Sequence, residues 1–156
     1  MSAATEYGSV LLSQHADLLR ASGVTPDVAA ERGYHSADTK AQLERHGFGV
    51  RQRRVPALLI PVHDVYGEVR FHQARPDSPR ELNGKVVKYE TPIGTSMAVD
   101  VHPRVHPHLG DPSRLLVVTE GVRKADACVS RGLDAVALNG LQLARQECAG
   151  RVDGAP

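Results

Sequence analysis

Over the first fifty positions, apolar residues recur at helical spacing. VLLSQHADLLRASG places Leu11, Leu12, His15, Leu18 and Leu19 on one face, and Gly23 stops the segment. TPDVAAERG follows with Thr25 as N-cap, Pro26 at the first helical position, Asp27 in the first turn and Gly33 past the end. SADTKAQLERHG repeats that order, with Ser36 as the expected cap and Gly47 as the stop. After Pro56 the pattern changes. ALLIPV reads as a buried strand, HDVYG as a turn, and EVRFHQAR alternates as a half-exposed strand does. RPDSPRELNGK is loop-like in composition. VVKYET and SMAVDV read as short strands, and VHPRVHPHLGDPSR as another loop. LLVVT, from Leu115 to Thr119, is apolar on both faces, as in a parallel strand covered on two sides. A helix is expected from about Val122 to Arg131, with Gly132 as its left-handed stop, and DAVALNG then supplies a second strand.

The sum is an α+β chain in three parts. Residues 1–50 form a helical leader, 51–110 a β-rich middle, and 111–156 a strand-helix-strand unit with an expected right-handed crossover. The last residues, CAGRVDGAP, look frayed.

Charge sharpens this division. The net formal charge is +1. Residues 1–50 carry four Lys/Arg against six Asp/Glu, residues 51–110 nine against six, and residues 111–156 six against six. The middle part is therefore the basic one. RQRRVP, with Arg51, Arg53 and Arg54, reads as a solvated charged linker. Three short helices invite a helix-turn-helix reading, but the leader is acidic and lacks an obvious base-reading set. No segment is apolar and long enough to span a membrane, and MSAATEYGSV is not a secretory signal. A cytoplasmic protein is expected. Cys128 and Cys148 have no metal or disulfide spacing. His102, His106 and His108 sit among prolines and read as a solvated loop rather than a metal site.

Glu120 stands where the apolar strand ends and Gly121 permits a turn. Ligands gather at the carboxyl ends of strands in open α/β sheets. A carboxylate placed there can hold a divalent metal or move protons, and Lys124 can neutralise a phosphate beside it. On spacing alone Glu120 equally suits a surface position favoured by the helix dipole.

TEGVRKADACVSRG followed by AVALNG resembles the first half of a TOPRIM domain, the metal-binding fold of bacterial primases, topoisomerases and some nucleases. The EG-x-x-KADA variant is most similar to the primase-like domains of phages, plasmids and mobile elements. Upstream, LLIPVHDVYGEV, ARPD and KVVKYETP resemble the basic subdomain that precedes TOPRIM in bacterial primases, and HADLLRASGVTPDVAAERGY resembles their leader. The likeness covers roughly residues 10–140. It implies a metal-binding, catalytic role for Glu120 and nucleic-acid contacts from Arg75, Lys85, Lys88, Tyr89 and Lys124. It also implies Mg²⁺ and a replication setting.

A TOPRIM site also uses a D-x-D pair on a later strand, and none occurs in these 156 residues. The sequence thus resembles a TOPRIM protein cut off after its second strand. Glu120, with at most Asp126 nearby, implies weak Mg²⁺ binding and no independent catalysis. A two-stranded parallel unit leaves an unpaired edge, which a middle strand, a replication protein or a second copy must cover. The expectation is a nucleic-acid-binding, primase-like protein. A docking protein without enzymatic activity and a helix-turn-helix regulator are the alternatives.

Overall fold

The computed structural model describes residues 7–138. Two helices open the described residues, α1 (Ser13–Ala21) and α2 (Pro26–Arg32). Thr25 stands at the N-cap of α2 and Pro26 starts it, while Gly33 ends it in the left-handed region at φ 85°. Ser36 does not cap a helix. It lies in the short strand β1 (His35–Ala37), where its hydroxyl accepts from the Leu12 amide at 2.8 Å and meets His15 Nδ1 at 2.6 Å. The cap of α3 (Lys40–Arg45) is Thr39, which forms a reciprocal capping box with Gln42. A strand therefore separates the second and third helices, where the sequence suggested three helices in succession.

Strands β2 (Ala57–His63) and β3 (Val69–Pro76) complete an antiparallel sheet ordered β1-β2-β3. All seven residues of β2 are buried because both faces of the sheet are covered. Leu58, Ile60 and Val62 enter the larger core with residues of α1, α2, α4 and β8, while Ala57 and Leu59 join Leu43 and Phe48 on the other side. RPDSPRELNGK is not a plain loop. It carries a hairpin of β4 (Arg80–Leu82) and β5 (Lys85–Val87), turned by Asn83 and Gly84 at φ 51° and 73°. Positive φ at both central residues is the requirement of a type I′ turn, which Asn-Gly meets.

The third sheet is ordered β6-β8-β7. Strand β7 (Leu116–Thr119) and β8 (Asp134–Leu138) pair in parallel around α4 (Val122–Val129), the expected strand-helix-strand unit. Strand β6 (Val99–Val101) adds antiparallel to β8. The middle of the sequence thus completes one side of this sheet. The other side keeps the expected unpaired edge but lacks the expected cover. Strand β7 is an edge among the described residues, and Leu116 and Val118 are exposed rather than covered.

A buried ion cluster fastens the leader to this unit. The Arg32 guanidinium donates to Asp126 from Nε at 3.1 Å and from Nη2 at 2.6 Å, and to Asp100 from Nη1 at 2.6 Å. The Tyr34 hydroxyl donates to Asp126 at 2.7 Å. Burial works against the charge of Arg32, but the two facing carboxylates hold its pKa above the ordinary value.

His102 is fully buried, not solvated. Its Nε2 donates to the Val28 carbonyl at 3.1 Å, and its Nδ1 accepts from the Arg104 amide at 3.0 Å. His106 donates to the Val65 carbonyl at 2.9 Å, and His108 meets Asp134 at 3.0 Å. The three are therefore spread over separate structural bonds. Cys128 is a free, half-buried thiol, and Cys148 lies outside the described residues.

Candidate nucleic-acid interface

Glu120 follows β7 directly and precedes Gly121, the N-cap of α4. The side chain is exposed and forms an i,i+4 ion pair with Lys124. That ammonium holds the Glu120 carboxyl below its usual pKa, so the group is ionised at neutral pH.

Both residues border a cleft of about 380 Å³, lined also by Ile60, Gln73, Lys88, Tyr89 and Arg123. Register explains the composition of its floor. Gln73 pairs with Ile60 and Arg75 with Leu58, so all four share one face of the antiparallel sheet. The Arg75 guanidinium carbon stands 6.0 Å from the centre of the Tyr89 ring, at the outer limit of a cation–π contact.

Two guanidinium nitrogens, Arg75 Nε and Arg123 Nη1, are buried without a hydrogen-bond partner among the described residues. Such donors are costly unless something accepts from them. Of the residues expected to meet nucleic acid, Lys88, Tyr89 and Lys124 line the cleft with Glu120, and Arg75 adjoins it through Tyr89. Lys85 sits at the start of β5 and does not line it.

Among the described residues, the carboxylates near Glu120 do not make a magnesium cage. Asp126 is committed to Arg32 and Tyr34 inside the core, which leaves Glu120 with an ammonium already on it. Mg²⁺ needs octahedral oxygen ligation, so Glu120 would share the ion with substrate phosphates and water.

Sequence reasoning missed a second basic region. Arg51, Arg53 and Arg54 are not just a linker. With Lys40 and Arg80 they line a broader cleft of about 630 Å³. Arg80 is braced by the buried Glu90, at 2.5 and 3.1 Å, and Gln52 donates to the same carboxylate at 3.0 Å. The composition of RQRR carried the charge signal, but nothing local showed that the β4–β5 hairpin folds back beside it.

This mixed order of helices and small sheets is that of the primase-like α+β fold. Solved structures of primase domains make the likeness particular. The zinc-binding and RNA polymerase domains of the Aquifex aeolicus primase match at TM-score 0.63 and 14% identity, over 81% of this chain and 37% of that one. The RNA polymerase domain of Mycobacterium tuberculosis primase DnaG matches at TM-score 0.59 and 21% identity, over 98% of this chain and 60% of that one. A DnaG primase catalytic domain bound to single-stranded DNA matches at TM-score 0.55 and 20% identity, over 89% and 47%. This chain therefore spans less than two thirds of the length of each. No family model matches the chain, and no curated protein matches it by sequence. Among the described residues, no helix is long and apolar enough to cross a membrane.

Proposed function

We propose that this is a nucleic-acid-binding, primase-like protein of a phage, plasmid or other mobile-element replication system. One observation carries the reading. Lys88, Lys124, Arg123 and Tyr89 converge on a single cleft at the carboxyl end of β7, with Arg75 adjoining it. The cations meet phosphates, and Tyr89 offers a face on which a base can stack. Glu120 orders Lys124 and contributes one ligand to any Mg²⁺ carried in with the phosphates. No D-x-D pair exists in the sequence to complete a metal site, so catalysis needs carboxylates from elsewhere. The mobile-element setting rests on the EG-x-x-KADA likeness, and a cytoplasmic location follows from a replication role.

Fluorescence anisotropy with a labelled single-stranded oligonucleotide tests the proposal. Affinity should fall as salt rises, and Lys88→Ala should weaken binding and flatten the salt dependence. Binding that ignores both salt and this substitution overturns it.

The exposed β7 edge favours a second reading, in which a replication protein or a second copy docks there. That association would survive neutralisation of the basic residues.

A further inference from the structure

The antiparallel sheet has a second functional face. His35 pairs with Leu59 across β1 and β2, and His72 pairs with Pro61 across β2 and β3. Leu59 and Pro61 are two residues apart, so their side chains and those of both partners share one face. This is the face opposite Ile60, Gln73 and the cleft. Helix α3 packs over it through Leu43, which meets Leu59 and Ala74 in the smaller core. His46 is the C-cap of that helix and hangs over the same spot.

The three rings converge. The centroids of His46 and His72 lie 4.0 Å apart, and His35 stands 5.7 Å from each. One ring nitrogen from each residue lies within 4.8 Å of the other two, and all three side chains are half-buried. From this geometry we propose that His35, His46 and His72 form a three-imidazole site for a late first-row divalent ion such as zinc, with its fourth position open to solvent.

Three further features fit that chemistry. The ligands come from a strand, a helix end and a second strand, which the sheet register and helix packing hold together. The tautomer of His35 is set, because its Nδ1–H donates to the Gly33 carbonyl at 3.0 Å and leaves Nε2 with a free lone pair. A backbone carbonyl behind a ligating imidazole is a regular partner of metal sites. His46 and His72 are also held toward the neutral form. Burial lowers the pKa of His72 to about 4 and also lowers that of His46, with the neighbouring histidines adding to both. A neutral imidazole binds a metal without first losing a proton. Tetrahedral zinc with Zn–N bonds of about 2.0–2.1 Å holds its nitrogens roughly 3.3 Å apart, so the rings must close by at most about 1.5 Å. Half-exposed side chains at a helix end and on strands make that change by rotating about χ1 and χ2. Three histidines with one open position suit zinc, cobalt, nickel or copper, and no thiolate or carboxylate is needed. The site is independent of Glu120 and of any Mg²⁺ at the cleft.

The test titrates Co²⁺ into the tag-free, chelator-stripped full chain, follows its visible d–d bands, and then displaces it with Zn²⁺. One equivalent should bind, with the intense spectrum of a four-coordinate ion, and zinc should raise the melting temperature. His46→Gln and His35→Gln, both at half-exposed positions, should each weaken binding by roughly tenfold or more. Their metal-free melting temperatures should stay near wild type. Glu120→Gln should bind the metal as wild type does. Absence of a bound equivalent overturns the site and leaves a simple stack of rings. So does binding that persists in both histidine variants, or binding lost in Glu120→Gln.

Discussion

Arg32 and Asp126 form a bidentate ion pair whose two side chains are entirely shielded from solvent. Arg32 belongs to α2 in the leader, and Asp126 to α4 beside the cleft. The same guanidinium reaches Asp100 on β6. One cation therefore joins a helix of the leader to the sheet and helix that carry Glu120.

Removing that cation alone should be severe. Arg32→Met would leave two buried carboxylates facing each other and should cost about 3–5 kcal/mol. Replacing all three charges together, as Arg32→Met with Asp100→Asn and Asp126→Leu, should restore much of the loss, because no uncompensated charge remains. Urea denaturation of both variants checks this. Equal stability in the single and triple variants would refute the pairing argument.

The cluster has two carboxylates for one guanidinium, and pH should report it. Burial lifts Asp100 to about 6 against the pull of Arg32, and the Asp126 charge adds to the rise. Its Oδ2 has no hydrogen-bond partner among the described residues. A folded pKa above the unfolded value of about 3.9 means that the native state binds the proton first. The stabilisation is then complete below about pH 4 and lost as pH rises through 6. Asp100→Asn keeps the oxygen that accepts from Arg32 and the His63 amide and has no such loss. Its stability relative to wild type should therefore improve from pH 4 to pH 8. Thermal melts at both pH values measure the change. The buried His63, lowered to about 4, loses stability on acidification below about 6.5, but it is common to both proteins and cancels in the difference. A relative stability that does not vary with pH would count against a raised Asp100.

What the sequence revealed followed local punctuation. Thr25, Pro26 and Gly33 frame α2, and Gly121 and Gly132 frame α4, with Gly132 at φ 78°. Alternation and turn residues marked β2 and β3 in the same way. The missed features depend on distant partners. Strand β1 is three residues long and exists by pairing with β2. Arg32 meets residues 68 and 94 positions away, and no spacing rule links them. Glu120 could be singled out because it stands where an apolar strand ends, Lys124 as the cation that follows it on the helix, and Lys88 through its likeness to primases. The meeting of His35, His46 and His72 required the sheet register. The hairpin at Asn83 and Gly84 did have a local signal, but the polar residues around it looked like a loop.

Position relative to the cleft separates two lysines that the sequence treats alike. Lys88 lines it and Lys85 does not. Lys88→Ala should reduce the slope of log affinity against log salt by about 0.7 for a single strand, the value of one phosphate contact. Lys85→Ala should leave both slope and affinity within about twofold of wild type. Anisotropy titrations at three salt concentrations distinguish them. Equal losses from both would place the interface on the β4–β5 hairpin instead.

The β7 edge gives the last prediction. Leu116 is 44% exposed and Val118 57%, on a strand with no neighbour on its outer side among the described residues. An apolar edge with free backbone donors and acceptors is a template for another strand. Wild-type protein should therefore form larger species as its concentration rises. Leu116→Glu combined with Val118→Glu should prevent this, because buried carboxylates would oppose each other at the new interface. Both side chains are already in water, so the substitutions should change monomer stability by no more than about 0.5 kcal/mol each. Gel filtration over a concentration series reads the first effect and thermal melts the second. If wild type elutes as a monomer throughout, self-pairing through β7 is refuted. If the double variant melts far below wild type, the strand is covered in solution by the chain itself and the edge is not available to a partner.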